Sequence, residues 1–163
     1  MKFLSFALVF AAVLVSANPT LEKRAGVNDV ANIGYAQLAG TSGGSGASVT
    51  TVTTLSALKT AVTGDAKKVV RISGTISGNE VVKVGANTTI VGCNASLVGV
   101  GLRVVNVNNV IIRGVKISKV LADAGDAIGV QNANKIWLDH LDLSSDRDHD
   151  KVRLVLYARA AMH

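Results

Sequence analysis

Residues 106–118 read Asn106-Val-Asn-Asn-Val-Ile-Ile-Arg-Gly-Val-Lys-Ile-Ser118, and residues 132–144 read Asn132-Ala-Asn-Lys-Ile-Trp-Leu-Asp-His-Leu-Asp-Leu-Ser144. The two stretches share one pattern: Asn106, Asn108, Val110, Ile112, Ile117 and Ser118 map onto Asn132, Asn134, Ile136, Leu138, Leu143 and Ser144. An internal repeat of this kind implies stacked coils, each too small to bury its own apolar face. The later copy carries Asp139, His140 and Asp142 where the earlier one has Arg113, Gly114 and Lys116. Function is expected to concentrate in that difference.

Outward from the repeat, short apolar or β-branched runs continue the texture. They are Val69-Val-Arg-Ile72, Glu80-Val-Val-Lys-Val84, Thr88-Thr-Ile-Val91 and Leu102-Arg-Val-Val105, with Gly, Asn and Ser between them. Thr89-Ile-Val-Gly92, Ile111-Ile-Arg-Gly114 and Trp137-Leu-Asp-His140 fall at similar places in successive turns. The spacing, roughly twenty residues or a little more, suits a coil of a parallel β-helix. An antiparallel sandwich would carry Asn-Gly or Asp-Gly hairpin signals, and the chain has none. The single proline, Pro19, lies outside all these runs. Asparagines at the coil corners are candidates for stacked amide ladders, or for plain turn residues. The fold class read here is all-β, a right-handed parallel β-helix. One short helix is expected at Thr54-Leu-Ser-Ala-Leu-Lys-Thr-Ala-Val62, with Thr54 as its cap. Residues 25–48, rich in Gly, Ala and Ser, read as an extended arm with a flexible glycine loop. That loop lacks the lysine of a phosphate cradle.

The chain opens with Lys2, an apolar run from Phe3 to Val15 and small residues Val15-Ser-Ala17, the pattern of a cleavable signal peptide over residues 1–17. Residues 18–24 end in Lys23-Arg24 and read as a propeptide with a dibasic processing site. Removal of residues 1–24 takes away three bases and one acid, so the formal charge goes from 17 − 11 = +6 to 14 − 10 = +4. Scattered bases at that density permit an acidic polymer as substrate but not the clustered face that nucleic acid requires. Cys93 is the only cysteine, so no internal disulfide holds this chain, and a buried small hydrophobe is its expected role. Asn87-Thr-Thr and Asn94-Ala-Ser are both acceptor triplets for N-glycosylation.

Acidic residues gather late, at Asp123, Asp126, Asp139, Asp142, Asp146, Asp148 and Asp150, and such density points to a hard cation. Asp146-Arg-Asp-His-Asp150 lacks the glycine and the distal glutamate of an EF-hand, and reads equally as a solvated loop. Asp126 stands apart because it precedes the apolar run Ala127-Ile-Gly-Val130, at the mouth of a coil.

Gly125-Asp-Ala-Ile-Gly-Val-Gln131, followed by Ile136-Trp-Leu-Asp-His140 and Asp142-Leu-Ser-Ser-Asp-Arg-Asp-His-Asp-Lys151, resembles the secreted fungal pectate lyases of polysaccharide lyase family 1. The resemblance covers residues 26–151. It implies a right-handed parallel β-helix that cleaves polygalacturonate by β-elimination, with calcium as cofactor and an arginine taking the C5 proton. It makes Asp126 a metal ligand. Asp139 and His140 match a Trp-x-Asp-His motif that the resemblance places close to the calcium cleft, as support for the site rather than as ligands. For His140 a satisfied polar place within the coil is the competing reading, and Trp137 reads as core.

The family's continuation, Tyr-Tyr-Asp-Gly and then Arg-x-Pro-x-x-Arg, has no counterpart in Val152-Arg-Leu-Val-Leu-Tyr-Ala-Arg-Ala-Ala-Met-His163. No catalytic residue is therefore assigned, and Arg153 and Arg159 are not read as the base. The expected organisation is residues 25–151 as a partial β-helix domain and 152–163 as an unmatched tail. The product is expected to be an incomplete and inactive fragment, secreted and extracellular, monomeric, with pectin as its partner and no membrane once the leader is removed. Alternatives are a calcium-independent pectin lyase, a non-catalytic pectin-binding β-helix, and a glycosidase with paired carboxylates.

Overall fold

The computed structural model describes residues 26–121, 125–144 and 156–157. The stretches read as a signal peptide and a dibasic site, together with Asp123 and the run Asp146–Asp150, lie outside these residues.

Its elements in chain order are α1 (Gly34–Leu38), β1 (Val49–Val52), α2 (Leu55–Val62), β2 (Lys68–Lys83), β3 (Thr88–Val105), β4 (Asn108–Ser118), β5 (Ile128–Gln131), β6 (Asn134–Asp139), β7 (Asp142–Ser144) and β8 (Leu156–Tyr157). Every strand pairing is parallel. The long strands are bent ribbons. β2 breaks register between Ser73 and Thr75 and again between Ser77 and Glu80, so one continuous strand serves three faces.

Face one stacks residues 49–52, 69–72, 89–92, 110–113 and 136–139. Face two stacks residues 75–77, 96–98, 116–118 and 142–144. Face three stacks residues 80–83, 100–103 and 128–131, with Leu156–Tyr157 against Val130 and Gln131. The fold is a right-handed parallel β-helix, as expected. On face one the step between coils is 69 − 49 = 20, then 89 − 69 = 20, 111 − 89 = 22 and 137 − 111 = 26 residues.

Like stacks on like inside the coil. Val70, Ile90, Ile112 and Leu138 form one interior ladder, Ile76, Leu97, Ile117 and Leu143 a second, and Val82, Leu102 and Ile128 a third. Val70, Ile90, Ile112, Leu97, Ile117 and Leu102 are fully buried. At roughly 25 cal/mol per Å² of apolar area, such ladders are the main term holding a coil that cannot fold alone. The helix expected at residues 54–62 is α2, and the Thr54 hydroxyl accepts the Ala57 N–H at 3.3 Å. It drives Leu58 and Val62 into the same core.

The corners follow from backbone conformation. Asn87, Asn109 and Lys135 occupy equivalent places in successive coils, each with positive φ (50°, 62° and 55°). Asn106 and Asn132 form a second such pair, at 58° and 49°. Asparagine tolerates this left-handed region better than other side-chained residues, which accounts for the asparagines at the turns. One amide rung is made: Asn109 Nδ2 donates to Asn87 Oδ1 at 2.9 Å.

The arm of residues 26–48 departs from expectation. It contains helix α1, and its glycine loop is clamped rather than loose. Asn109 Oδ1 accepts the Ser42 and Gly43 N–H groups, each at 2.8 Å, and Thr89 Oγ1 accepts the Gly44 N–H at 2.9 Å. A Cβ on Gly44 would stand 1.9 Å from the Lys68 carbonyl oxygen, so only glycine admits this approach. We expect Asn109→Ala to lower stability by about 2–3 kcal/mol, since it strands two backbone donors and keeps a strained φ. Asn109→Gly is expected to be milder because it relieves the strain. Urea midpoints of the two variants check this, and equal losses would remove the conformational part of the argument.

Cys93 also departs from expectation: it is exposed. The register of β3 breaks between Val91 and Ala95, at the corner from face one to face two, and the thiol turns outward there.

Candidate functional site

Asp126 stands on the approach to β5, at the corner where the chain enters face three. Gly125, at φ 78°, makes that corner. Asp126 itself is half-buried. Its Oδ2 lies 3.9 Å from the point where a Cβ on Gly129 would stand, and Arg103 Cγ lies 3.9 Å from the same point. The carboxylate and the arginine stem therefore flank a bare patch of backbone on the outside of face three. Arg103 is registered between Lys83 and Gly129 in successive coils. Lys83 and Arg103 are both exposed, and Arg103 Nη2 donates to Gln131 Oε1 at 3.3 Å.

The result is a short basic row beside one carboxylate. Lys83, Arg103 and Gln131 are not singled out by the sequence reading, because isolated bases look like ordinary surface. The signal was available in the coil spacing: steps of 20 and 26 residues bring 83, 103 and 129 into line.

Asp139 and His140 are brought together elsewhere, at the end of face one. His140 Nδ1 and Asp139 Oδ1 are 2.7 Å apart. Asp139 Oδ2 accepts the Arg113 Nε–H at 2.7 Å, and Arg113 Nη1 reaches Asp29 Oδ2 at 3.1 Å. The guanidinium lies 4.5 Å from the ring centroid of Trp137. Arg113 and Trp137 are each 7 % exposed. Trp137 is thus core, as expected, but in an outer layer with Ala31, Ala36 and Ile111 rather than inside the coil. His140, whose side chain is 71 % exposed, is not a polar residue held within the coil. It takes φ 49° where the previous coil has Gly114 at 63°.

The closeness of Trp-Asp-His to the Asp126 cleft is corrected by the strand order. Asp126 leads into face three, whereas Asp139 closes face one, so a corner and a whole face separate them. A shallow groove of about 340 Å³ lies at the corner between faces one and two, lined by Asn94, Ser96, Lys116, His140 and Asp142 among others. Lys116 and Asp142 pair across it at 3.1 Å. Burial lowers the Lys68 ammonium from its ordinary value, with Asp65 acting in the opposite sense; Lys68 belongs to neither site.

As a calcium donor Asp126 has the right chemistry, a hard carboxylate oxygen, but calcium takes six to eight oxygens. Among the described residues no group of three or more His, Cys, Asp or Glu side chains is gathered closely enough to hold a metal ion. Asp126 thus fits as one ligand and not as a complete site. Among the described residues no helix is long and apolar enough to cross a membrane.

The carboxylate and the basic row thus lie on one outer face of a parallel β-helix, and comparison with known proteins gives the family. The pectate lyase family model matches residues 1–152, and the chain belongs to that family. It is 53 % identical over 150 residues to pectate lyase A of Aspergillus niger, which covers 88 % of this chain and 46 % of that protein. It is 53 % identical over 138 residues to pectate lyase A of Emericella nidulans, covering 82 % and 42 %. The chain spans less than half the length of these relatives. Among solved structures it is similar to a pectate lyase from Bacillus sp. N165 determined in complex with trigalacturonate, with 27 % identity, TM-score 0.65, and coverage of 71 % of this chain and 43 % of that one. Pectate lyase II of Xanthomonas campestris shares the fold at TM-score 0.59, covering 71 % and 42 %.

Proposed function

We propose that this chain contributes the Asp126-bearing coils of a secreted, calcium-dependent pectate lyase that cleaves polygalacturonate by β-elimination. The observation that carries the reading is the outer surface of face three, where Asp126 and Arg103 flank the bare backbone of Gly129. In β-elimination a base takes the C5 proton, the C4–C5 double bond forms, the C4–O bond breaks, and the departing oxygen is protonated. Bound calcium supplies charge stabilisation that makes the C5 proton more acidic. Asp126 would hold the cation as one of its oxygen ligands. Lys83 and Arg103 would pair with uronate carboxylates along the polymer, Arg103 held in place by Gln131. Arg113 is unsuited to be the base: it is buried, bound to two carboxylates and placed on another face. Asp139 and His140 would act as structural support. Secretion follows from the reading of residues 1–17, and polygalacturonate is the proposed partner of a monomer.

The test is a polypeptide in which residues 25–151 are followed by the remaining coils of a fungal relative, assayed by absorbance of the unsaturated product. We expect release from polygalacturonate with calcium, loss of release with a chelator, and slower action on methyl-esterified pectin. Chelator-resistant cleavage that prefers the ester would overturn the assignment in favour of a pectin lyase. Binding without any unsaturated product would leave a non-catalytic module.

A further inference from the structure

The two acceptor triplets, Asn87-Thr88-Thr89 and Asn94-Ala95-Ser96, sit in opposite surroundings. Asn87 is half-buried, and both ends of its amide are engaged. Nδ2 donates to the Asp65 carbonyl at 2.9 Å, and Oδ1 accepts from Asn109 Nδ2 at 2.9 Å. Its own backbone is a rung of the stack, accepting from Lys68 N and donating to Asn108 O, each at 3.1 Å. Thr88 and Thr89 are 0 % and 1 % exposed. A saccharide on Asn87 Nδ2 would wedge between Asp65 and the Asn109 rung, where the glycine loop of the arm is also fastened.

Asn94 is exposed, at φ 53°, on the corner where the chain turns from face one to face two. The same left-handed corner one coil earlier is Gly74, at 76°. Among the described residues the Asn94 side chain makes no hydrogen bond. Ser96 is half-buried and lines the groove with it, together with Lys116, His140 and Asp142.

We propose that Asn94 is the N-glycosylated residue of this chain and that Asn87 stays bare. The premise that the chain enters the secretory route rests on the reading of residues 1–17. In the transfer the Asn94 amide nitrogen bonds to C1 of a lipid-diphosphate-linked oligosaccharide. The C1–O bond to the diphosphate breaks, and the nitrogen gives up one of its two protons. The first sugar then lies against the shallow groove, so that groove is a seat for the chain's own glycan rather than for substrate. Face three, with Asp126, is a different surface and stays open to the polymer.

The test expresses the full chain in a fungal secretory host, once with its own leader and once behind a heterologous leader. Peptide mass spectrometry follows a glycoamidase that hydrolyses the amide bond between glycan and asparagine and so leaves aspartate at each glycosylated position. Intracellular and secreted fractions are both read, so variants that fold poorly still report. We expect conversion at Asn94 alone, its complete loss in Asn94→Gln and in Ser96→Ala, and its retention in Asn87→Gln. Conversion at Asn87, or two unconverted asparagines in a chain that has lost its leader, would overturn the proposal. Conversion at Asn94 only behind the heterologous leader would support the proposal while overturning the secretion reading.

Discussion

Asp126→Asn, placed in the lyase-competent polypeptide described above, is expected to lower cleavage of polygalacturonate at limiting calcium by at least about a hundredfold. Even a group that only positions a metal ligand is worth 10–100-fold in metal affinity, and Asp126 is proposed to be a ligand itself. Asparagine keeps the shape and one oxygen but removes the negative charge. The loss should therefore fall mainly on the calcium concentration needed for half-maximal rate, and raising calcium should recover much of the activity. The fold should be unaffected, since Asp126 is half-buried at a corner and fills no interior ladder. Arg103→Met should act differently, raising KM for polygalacturonate with little change in calcium requirement, because it removes a carboxylate partner of the substrate. Full activity of Asp126→Asn at limiting calcium, with an unchanged calcium dependence, would show that the cation is held elsewhere.

The two kinds of result would also separate what the sequence made legible from what it hid. In a parallel coil the alignment of two internal copies is their hydrogen-bonding register, because equivalent residues stack directly. The alignment of residues 106–118 with 132–144 thus reappears as Asn108 on Asn134, Val110 on Ile136, Ile112 on Leu138 and Ile117 on Leu143. Helix α2 was legible for a local reason, the Thr54 cap before a 3.6-residue apolar period. The arm of residues 26–48 was not, since composition alone cannot distinguish glycines that flex from glycines that let two backbones touch. Gly44 against Lys68 is of the second kind. Cys93 was misread because an apolar run was followed across a corner, where side chains change sides. Asp126 is proposed as a ligand on resemblance and on its place before an apolar strand, and the strand pairing adds only its position at the entry to face three. Lys83 and Arg103 required the coil length, which varies from 20 to 26 residues and becomes certain only when the strands are paired.

The same arithmetic explains why the difference between the repeats, Arg113 to Asp139 and Gly114 to His140, marks structure as well as chemistry. Asp139 stacks directly on Arg113, so the substitution between copies builds an ion pair along the ladder. Arg113 then extends to Asp29 and fastens the N-terminal arm over the outside of face one. Arg113→Met is accordingly expected to lower stability by about 3 kcal/mol. Removing one partner of a buried pair typically costs 3–5 kcal/mol, and the lower end applies because Asp139 and Asp29 are 19 % and 40 % exposed. Methionine retains the apolar stem over Trp137, so the loss isolates the charge. Asp29→Asn should cost under about 1 kcal/mol, since that carboxylate is the more exposed of the two partners, its pair is screened by solvent, and asparagine keeps an acceptor oxygen. Asp139→Asn should fall between the two, leaving the buried guanidinium with Asp29 alone. Urea unfolding followed by circular dichroism measures each midpoint. Fluorescence of Trp137, the only tryptophan, reports on the clasp itself. In Arg113→Met that signal should change at lower urea than the circular dichroism, because the arm lifts from Ile111 and Trp137 before the ladders part. An Arg113→Met midpoint equal to wild type, with both signals moving together, would mean that the Asn109 and Thr89 clamps and the packing of Ala31 and Ala36 hold the arm, and that the Arg113–Asp29 pair contributes nothing to it.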